Sequence, residues 1–465
     1  MTHDLIVIGA GPAGISAALT AASLGLKTVL LDEQPRAGGQ IYRNVMAATP
    51  KIGGLLGPDY TYGRIMVERL KHSGVDVRHA TVVWDLARDL SVTAMQAGRS
   101  FQLVAPQVIA ATGAMERPSP IPGWTLPGVM NAGAAQIALK SAGSVPSGPV
   151  VLAGGGPLLL LVACQLLEAG ATLAGIVETS PTGNRWRALP HLPAALGSPT
   201  ALFKGLGFMR KLRSAGVPWF TGASELVVDG QAQAQALSFK ASGRAHSLNA
   251  SVVLLHHGVV PNTQLTRLMR VEHDWDTAQV CWQPRVDAWG QTTLKGLRIA
   301  GDGASIGGAL AAESSGVIAA LGAAHAIDRL SLADRDARAQ PFHKVLKQQL
   351  RIRPFLDTLY RPPEWINTPA DDTVVCRCEE VTAGRVREMA RLGCQGPNQT
   401  KFFSRCGMGP CQGRMCGATV SQILASELDK PMAEIGSYRI RAPLKPVPMA
   451  SLAALFDDNS ENHPT

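Results

Sequence analysis

The sequence lacks low-complexity tracts and short-period repeats, which argues against solenoid and fibrous architectures. It lacks an uninterrupted apolar run of membrane length. The most apolar stretch, residues 157–177, is broken by Gln165 and Glu168 and reads as a buried amphipathic helix, so the chain is not expected to span a membrane. No targeting segment is visible, because the first apolar strand begins at Leu5 and runs straight into a glycine motif. A cytoplasmic protein is expected. No basic helix or aromatic-basic repeat occurs either. The net charge of +9 is scattered, which fits a solvated surface and not nucleic-acid binding. Charged residues are only 17% and hydrophobic ones 46%, too apolar for a disordered chain. Before Cys376 there are only Cys164 and Cys281, and they form no close pair. The other six of the eight cysteines lie between Cys376 and Cys416, and in a chain without an export signal such clustering points to a metal more than to disulfides.

What is present is glycine, 48 residues in 465, with enough length for two to four domains. From Leu5 to Glu33 the pattern is apolar strand, glycine turn, helix, strand. A similar unit recurs as VVLAGGG, an apolar helix and LAGIVE. Two such units predict an α/β fold with two dinucleotide-binding (Rossmann-like) domains and a small helical C-terminal cysteine module. VIAATGAMERPSPIPG reads as the crossing out of the first domain, and VVLLHHG with the following VPN as the return. The expected boundaries are 1–113 with 260–340 for the first domain and 114–259 for the inserted one. An arm follows at 341–372, the cysteine module at 373–430 and a proline-containing tail at 431–465.

Gly9-Ala10-Gly11-Pro12-Ala13-Gly14 fits the pattern G-x-G-x-x-G. Gly9 permits the tight turn, Gly11 the approach of a pyrophosphate, and Gly14 close helix–strand packing. The helix start offers N–H groups to phosphate. Asp32 closes the second strand, where an acid holds ribose hydroxyls, and Glu33 is the alternative. The second unit begins as Gly154-Gly155-Gly156, but Leu159 stands at the third glycine position. A leucine there pushes the helix outward or substitutes a bulky apolar contact, so a degenerate nicotinamide site is expected. The missing cysteine pair disfavours disulfide reduction.

The order of Ala111-Thr112-Gly113 and later Gly301-Asp302-Gly303 resembles the two-dinucleotide-domain flavoproteins. That resemblance implies FAD, with Thr112 and Gly113 in the crossing, Asp302 on the ribityl chain, and Gly39 and Gln40 near the flavin.

The module reads Cys376-Arg377-Cys378, then 32 residues, Cys411, four residues and Cys416. Thiolates suit an iron–sulfur cluster, and zinc is the alternative. Cys406 also stands four intervening residues before Cys411, and Cys394 is a further candidate, so spacing leaves the ligand set open. Arg377, Arg405 and Arg414 would offset negative charge. His256 and His257 are adjacent, point to opposite faces of their strand, and read as crossing residues. No residue presents itself as a general acid or base.

CRCEEVT followed by RCGMGPCQGRMCG resembles the bacterioferritin-associated-ferredoxin-like 2Fe-2S domain. This resemblance implies Cys376, Cys378, Cys411 and Cys416 as ligands and sets Cys394 and Cys406 aside. DEQPRAGGQIYR, ATGAMERPSPIPGWTLPGVMNAGAAQ, GDGASIGGALAAESSG and YRIRAPLKPVP are similar to the α (A) subunits of opine oxidases and D-hydroxyproline dehydrogenase, a family related to the hydrogen cyanide synthase B-subunit. The family implies a hetero-oligomeric flavin-dependent dehydrogenase or oxidase of a secondary amine or imino acid. An FAD-containing β subunit of amino-acid-oxidase type would oxidise the substrate. The α subunit would pass electrons through flavin and the 2Fe-2S cluster to a quinone-linked acceptor, peripheral to the inner membrane. A small ferredoxin-like γ subunit, FMN at a subunit interface, and ATP in place of FAD in the first pocket all occur among such relatives. The rival readings are an NAD(P)H-dependent ferredoxin or nitrite reductase-type flavoprotein and a nucleotide-bound structural subunit.

Overall fold

A computed structural model describes residues 3–460. The first domain is built on a five-stranded parallel sheet in the spatial order Leu297–Ile299, Gln107–Ala110, Leu5–Ile8, Thr28–Leu31, Asp76–Arg78. The Leu5–Ile8 strand is apolar at every position because both faces are covered. Helices Pro12–Ser23 and Ala309–Ala326 pack against each other over this sheet. The second helix is long and apolar enough to cross a membrane by length and composition, yet most of it is buried between helices Pro12–Ser23 and Leu332–Leu350. It is a core helix.

The inserted domain repeats the plan, with parallel strands ordered Trp219–Phe220, Leu173–Glu178, Val150–Gly154, Val252–His256, Val129–Asn131. Each domain also carries a three-stranded antiparallel sheet, at 81–104 and at 224–249. The segment read as the return crossing is two elements: VVLLH is a central strand of the inserted sheet, and only Val259–Pro261 crosses back, paired antiparallel with Ala114–Glu116. In the helix Pro157–Glu168, Gln165 is buried and not solvated, because it accepts from Gln136 Nε2 at 2.8 Å.

Two expected boundaries need correction. The 340/341 break falls inside one continuous helix, Leu332–Leu350, packed on Ala309–Ala326. The 430/431 break cuts a shared core, since Ile435, Tyr438, Ile440 and Leu444 are buried with Cys376, Cys406 and Cys416. That core is continuous with Ile6, Ile8, Val29 and Leu31 of the first sheet, so the cysteine module is fixed to the first domain by apolar packing.

The crossing is held by buried polar groups. Arg117 donates to the carbonyls of His257, Gln279 and Val280 at 2.7–3.0 Å. His257 sits between the Ser119 and Thr179 hydroxyls, at 2.7 and 3.0 Å. Burial, reinforced by His256 and Arg117, lowers its imidazole to about 3. Unfolded histidine titrates near ~6.5. Between these values the unfolded chain binds the extra proton, so stability falls as pH falls. From about pH 7 to about pH 5 the wild type should lose about 2 kcal/mol more unfolding free energy than His257→Asn. Urea unfolding at both pH values measures this, and equal losses would contradict it.

Candidate functional site

In the first crevice, backbone meets backbone. Gly9 has φ +104°, and a Cβ there would lie 2.5 Å from the Ala111 carbonyl oxygen. A Cβ at Gly14 would lie 1.8 Å from the oxygen of Gly9. Pro12 opens the helix without an N–H of its own, and the first helical bond is Ile15 N–H to Gly11 at 2.9 Å. The N–H groups of Ala13 and Gly14 precede that bond, where a phosphate would meet them. Gly39 folds over Gly11, and a Cβ on it would stand 2.7 Å from the Gly11 Cα.

Asp32 is buried, and its carboxylate accepts from Ala10 N–H at 2.5 Å and Gln34 N–H at 2.7 Å. Burial pushes its carboxyl above the ordinary range, and these two N–H groups oppose the rise. Glu33 instead points to the tail and pairs with Lys445. Gly301 N–H donates to Ser315 at 2.6 Å, and Asp302 accepts from Gly307 and Gly308 N–H at 2.9 and 3.0 Å. Asp302 therefore shapes the loop that leads into helix Ala309–Ala326. The side chain of Thr112 donates to the Asn262 carbonyl at 3.3 Å, and Gly113 is left-handed, so both lock the crossing beside the crevice. The glycine turn, the donor pair and the lack of Cβ atoms fit a dinucleotide pyrophosphate.

One residue of this crevice escaped the sequence reading. Lys140, from the inserted domain, is buried and donates to the Gln40 carbonyl at 3.1 Å and to Gln136 at 3.0 Å. Burial, then the nearby Arg43, lowers its ammonium to about 7. Its signal was the Gln136–Lys140 spacing on an otherwise apolar helix.

The second crevice is altered in two ways. Leu159 is buried in the apolar core between helix and sheet. The entry bond of that helix, Leu160 N–H to Gly156, is 3.5 Å against 2.9 Å in the first unit, so the bulky contact also loosens the turn. The arm then lies across the crevice. The Tyr360 ring is 3.6 Å from where a Gly155 Cβ would be, and Asn184 donates to the Leu359 and Arg361 carbonyls at 3.5 and 3.2 Å. Burial, and then Glu178, push the Tyr360 hydroxyl up to about 12. Glu178, at the end of the second strand, accepts from Trp219 Nε1 at 3.3 Å. A cavity of about 470 Å³ remains beside the arm, lined by Thr179, Asn184, Arg187, Arg361 and Trp365 among others. His256, read as structural, pairs with Glu116 at 2.6 Å beneath this crevice.

The sulfurs of Cys376, Cys406 and Cys416 lie within 4.8 Å of one another, all buried. Cys376 ends the strand Val374–Cys376, and Cys416 precedes the helix Gly417–Leu428. Hydrogen bonds from Cys406 and Cys416 hold the Cys376 thiol well below the ordinary thiol range, and Gly407 N–H adds a contact at 3.5 Å. Cys378 is exposed and hydrogen-bonds with the half-buried Cys411. Cys394 is buried outside the group. The resemblance set Cys406 aside, whereas the geometry puts it in the buried group. Its exclusion rested on the resemblance, which does not register how the 406–416 loop folds back. Of the three arginines expected to offset charge, Arg414 faces a cysteine, Cys411. Arg405 instead pairs with Glu379 at 2.9 Å, and Arg377 lies over the Trp124 ring. Soft, buried, mutually close sulfur donors fit a thiolate-bound metal centre.

Gly39→Ala should push the 34–40 loop off the Gly11 turn and cut bound nucleotide about tenfold at sub-saturating concentration, equivalent to ~1.4 kcal/mol. Quantifying nucleotide released from purified variant and wild type measures this, and unchanged content would remove Gly39 from the site.

Residues 3–325 match the family Pyridine nucleotide-disulphide oxidoreductase, which implies FAD, and residues 371–455 match the Sarcosine oxidase A3 domain. The opine oxidase A-subunit of Rhizobium meliloti is 44% identical over 97% of this chain and 88% of its own length. The corresponding opine oxidase A-subunit of Agrobacterium tumefaciens (strain Ach5) is 44% identical over 97% and 92%. Hydrogen cyanide synthase subunit HcnB of Pseudomonas protegens is 31% identical over 97% of each chain. Among solved structures, L-proline dehydrogenase from P. horikoshii superposes with TM-score 0.70 at 18% identity, over 97% of this chain and 79% of that one, a likeness of fold. The glycine crevice, the module fused behind it and these identities together show that the chain belongs to the opine oxidase A-subunit family of oxidoreductases, on a pyridine nucleotide-disulphide oxidoreductase frame.

Proposed function

We propose that this chain is the electron-transferring subunit of a hetero-oligomeric, flavin-dependent dehydrogenase or oxidase of secondary amines or imino acids of the opine or D-hydroxyproline kind. The observation that carries the reading is the pairing, in one continuous core, of a dinucleotide crevice with a buried group of thiols. Substrate oxidation belongs to an FAD-containing partner subunit, and the electrons leave for a quinone-linked acceptor. FAD in the first crevice would supply two-electron acceptance, and a 2Fe-2S centre at the cysteines single-electron transfer.

The chain's own residues bind and shield. The Gly9–Gly14 turn receives the pyrophosphate, and Asp32 and Lys140 hold the 34–40 loop over it from two sides. Tyr438 packs against Gly407 and Gly413 and keeps water from the cysteine group. The arm across the second crevice, with Leu159, supports electron entry from a partner over entry from NAD(P)H.

Three measurements on anaerobically purified protein test the reading. Released nucleotide should be FAD. Iron should approach two atoms per chain, as a 2Fe-2S centre requires. NADPH should leave the flavin oxidised, whereas an opine or imino acid added to the assembled oligomer should bleach it. Rapid bleaching by NADPH alone would favour the reductase reading. ATP in place of FAD, with iron that takes no electron, would favour the structural-subunit reading.

A further inference from the structure

The cysteine site holds one thiol more than a four-ligand centre uses. Cys376, Cys406 and Cys416 form its buried side, and Cys378 and Cys411 its rim. We propose that Cys406 is a reserve ligand, which takes the place of Cys411 on the iron when the rim sulfur is lost. This rests on the iron–sulfur reading above and adds a function to a residue which that reading leaves idle.

The geometry meets the requirements of such an exchange. Cys406 already lies within 4.8 Å of Cys376 and Cys416, which serve as ligands in either arrangement. It is wholly buried while Cys411 is half-exposed, so an alkylating reagent from solvent reaches Cys411 first. Cys411 stands midway in the loop, with four residues between it and Cys406 and four between it and Cys416. The loop is pinned at two points by one ring: a Cβ on Gly407 would lie 2.6 Å from Tyr438, and one on Gly413 would lie 2.3 Å from it. Only the short segment 408–412, with Met408 and Pro410 exposed, need move to release Cys411. The Tyr438 hydroxyl is buried beside Cys406 and hydrogen-bonds with its sulfur, which holds that sulfur facing the site. The exchange is redox-neutral. One Fe–S bond to Cys411 breaks, one to Cys406 forms, and the Cys406 proton passes to the departing sulfur or to water.

The test uses the full chain, reconstituted anaerobically with ferrous iron and sulfide, as wild type, Cys406→Ala, Cys411→Ala and the double variant. Iron content, visible circular dichroism and the EPR signal of the reduced state are read, with bound nucleotide as the control for folding. Cys406→Ala should keep wild-type iron and spectra. Cys411→Ala should keep its iron but show shifted spectra. The double variant should lose iron at least about tenfold in affinity, as expected when a thiolate bond has no substitute. The proposal is overturned if Cys411→Ala is as iron-poor as the double variant, if Cys406→Ala alone loses iron, or if Cys411→Ala retains unshifted spectra. Should Cys411→Ala fail to fold, brief alkylation of the loaded wild type decides. Iron retained with Cys411 modified supports the exchange, and iron leaving in step with that modification refutes it. A wild type that takes up no iron is a different outcome, which removes the iron–sulfur reading itself.

Discussion

The first domain depends on backbones meeting at distances that no Cβ allows. The turn after Leu5–Ile8, the start of helix Pro12–Ser23, the crossing at Ala111 and the middle of helix Ala309–Ala326 converge on one point. A Cβ at Gly14 would lie 1.8 Å from Gly9, one at Gly316 2.1 Å from the Ala13 oxygen, and one at Gly301 2.8 Å from the Ala13 Cβ. This contact ties residue 9 to residue 316, so the crevice exists only once the chain has left for the inserted domain and returned. Close approach also leaves N–H groups at the mouth, and binding capacity and fold stability there share one cause.

The cysteine module is attached by the same logic with different chemistry. Its sulfurs sit in an apolar core continuous with the first sheet. The segment after Tyr438 runs back over the first domain, where Leu444 N–H reaches the Trp84 carbonyl at 2.7 Å and Lys445 pairs with Glu33. Trp124 of the inserted domain donates to Val374 at 2.6 Å, two residues before the first ligand candidate. Three parts of the chain thus hold the thiols in place. A module so held keeps a fixed separation from the crevice.

Features encoded locally were legible in the sequence. The glycine turn, its apolar strand, the acid at Asp32, the bulky Leu159 and the crowding of cysteines near the C-terminus all declare themselves within a few dozen residues. Features created by distant segments were not. Lys140 reaches Gln40 across a domain boundary, Tyr360 reaches Gly155 from the arm, and Cys406 joins Cys376 because a loop doubles back. None of these contacts leaves a periodic trace. The boundary at 340/341 failed because one helix, Leu332–Leu350, runs through it with Pro341 inside. Gln165 and His257 look surface-like by type, but each is buried with polar partners brought by other strands and helices.

The arm over the second crevice has a consequence for how such a chain could change its electron donor. Retooling a nicotinamide pocket usually means adjusting the few side chains that read the ribose. Here the obstacle is a stretch of main chain, clamped by Asn184 and capped by an aromatic ring, in a place that a coenzyme would have to share. Point substitutions on the pocket wall leave that tenant where it is. Clearing that stretch would demand rerouting the polypeptide between residues 353 and 366, a change of architecture that gradual tuning does not reach.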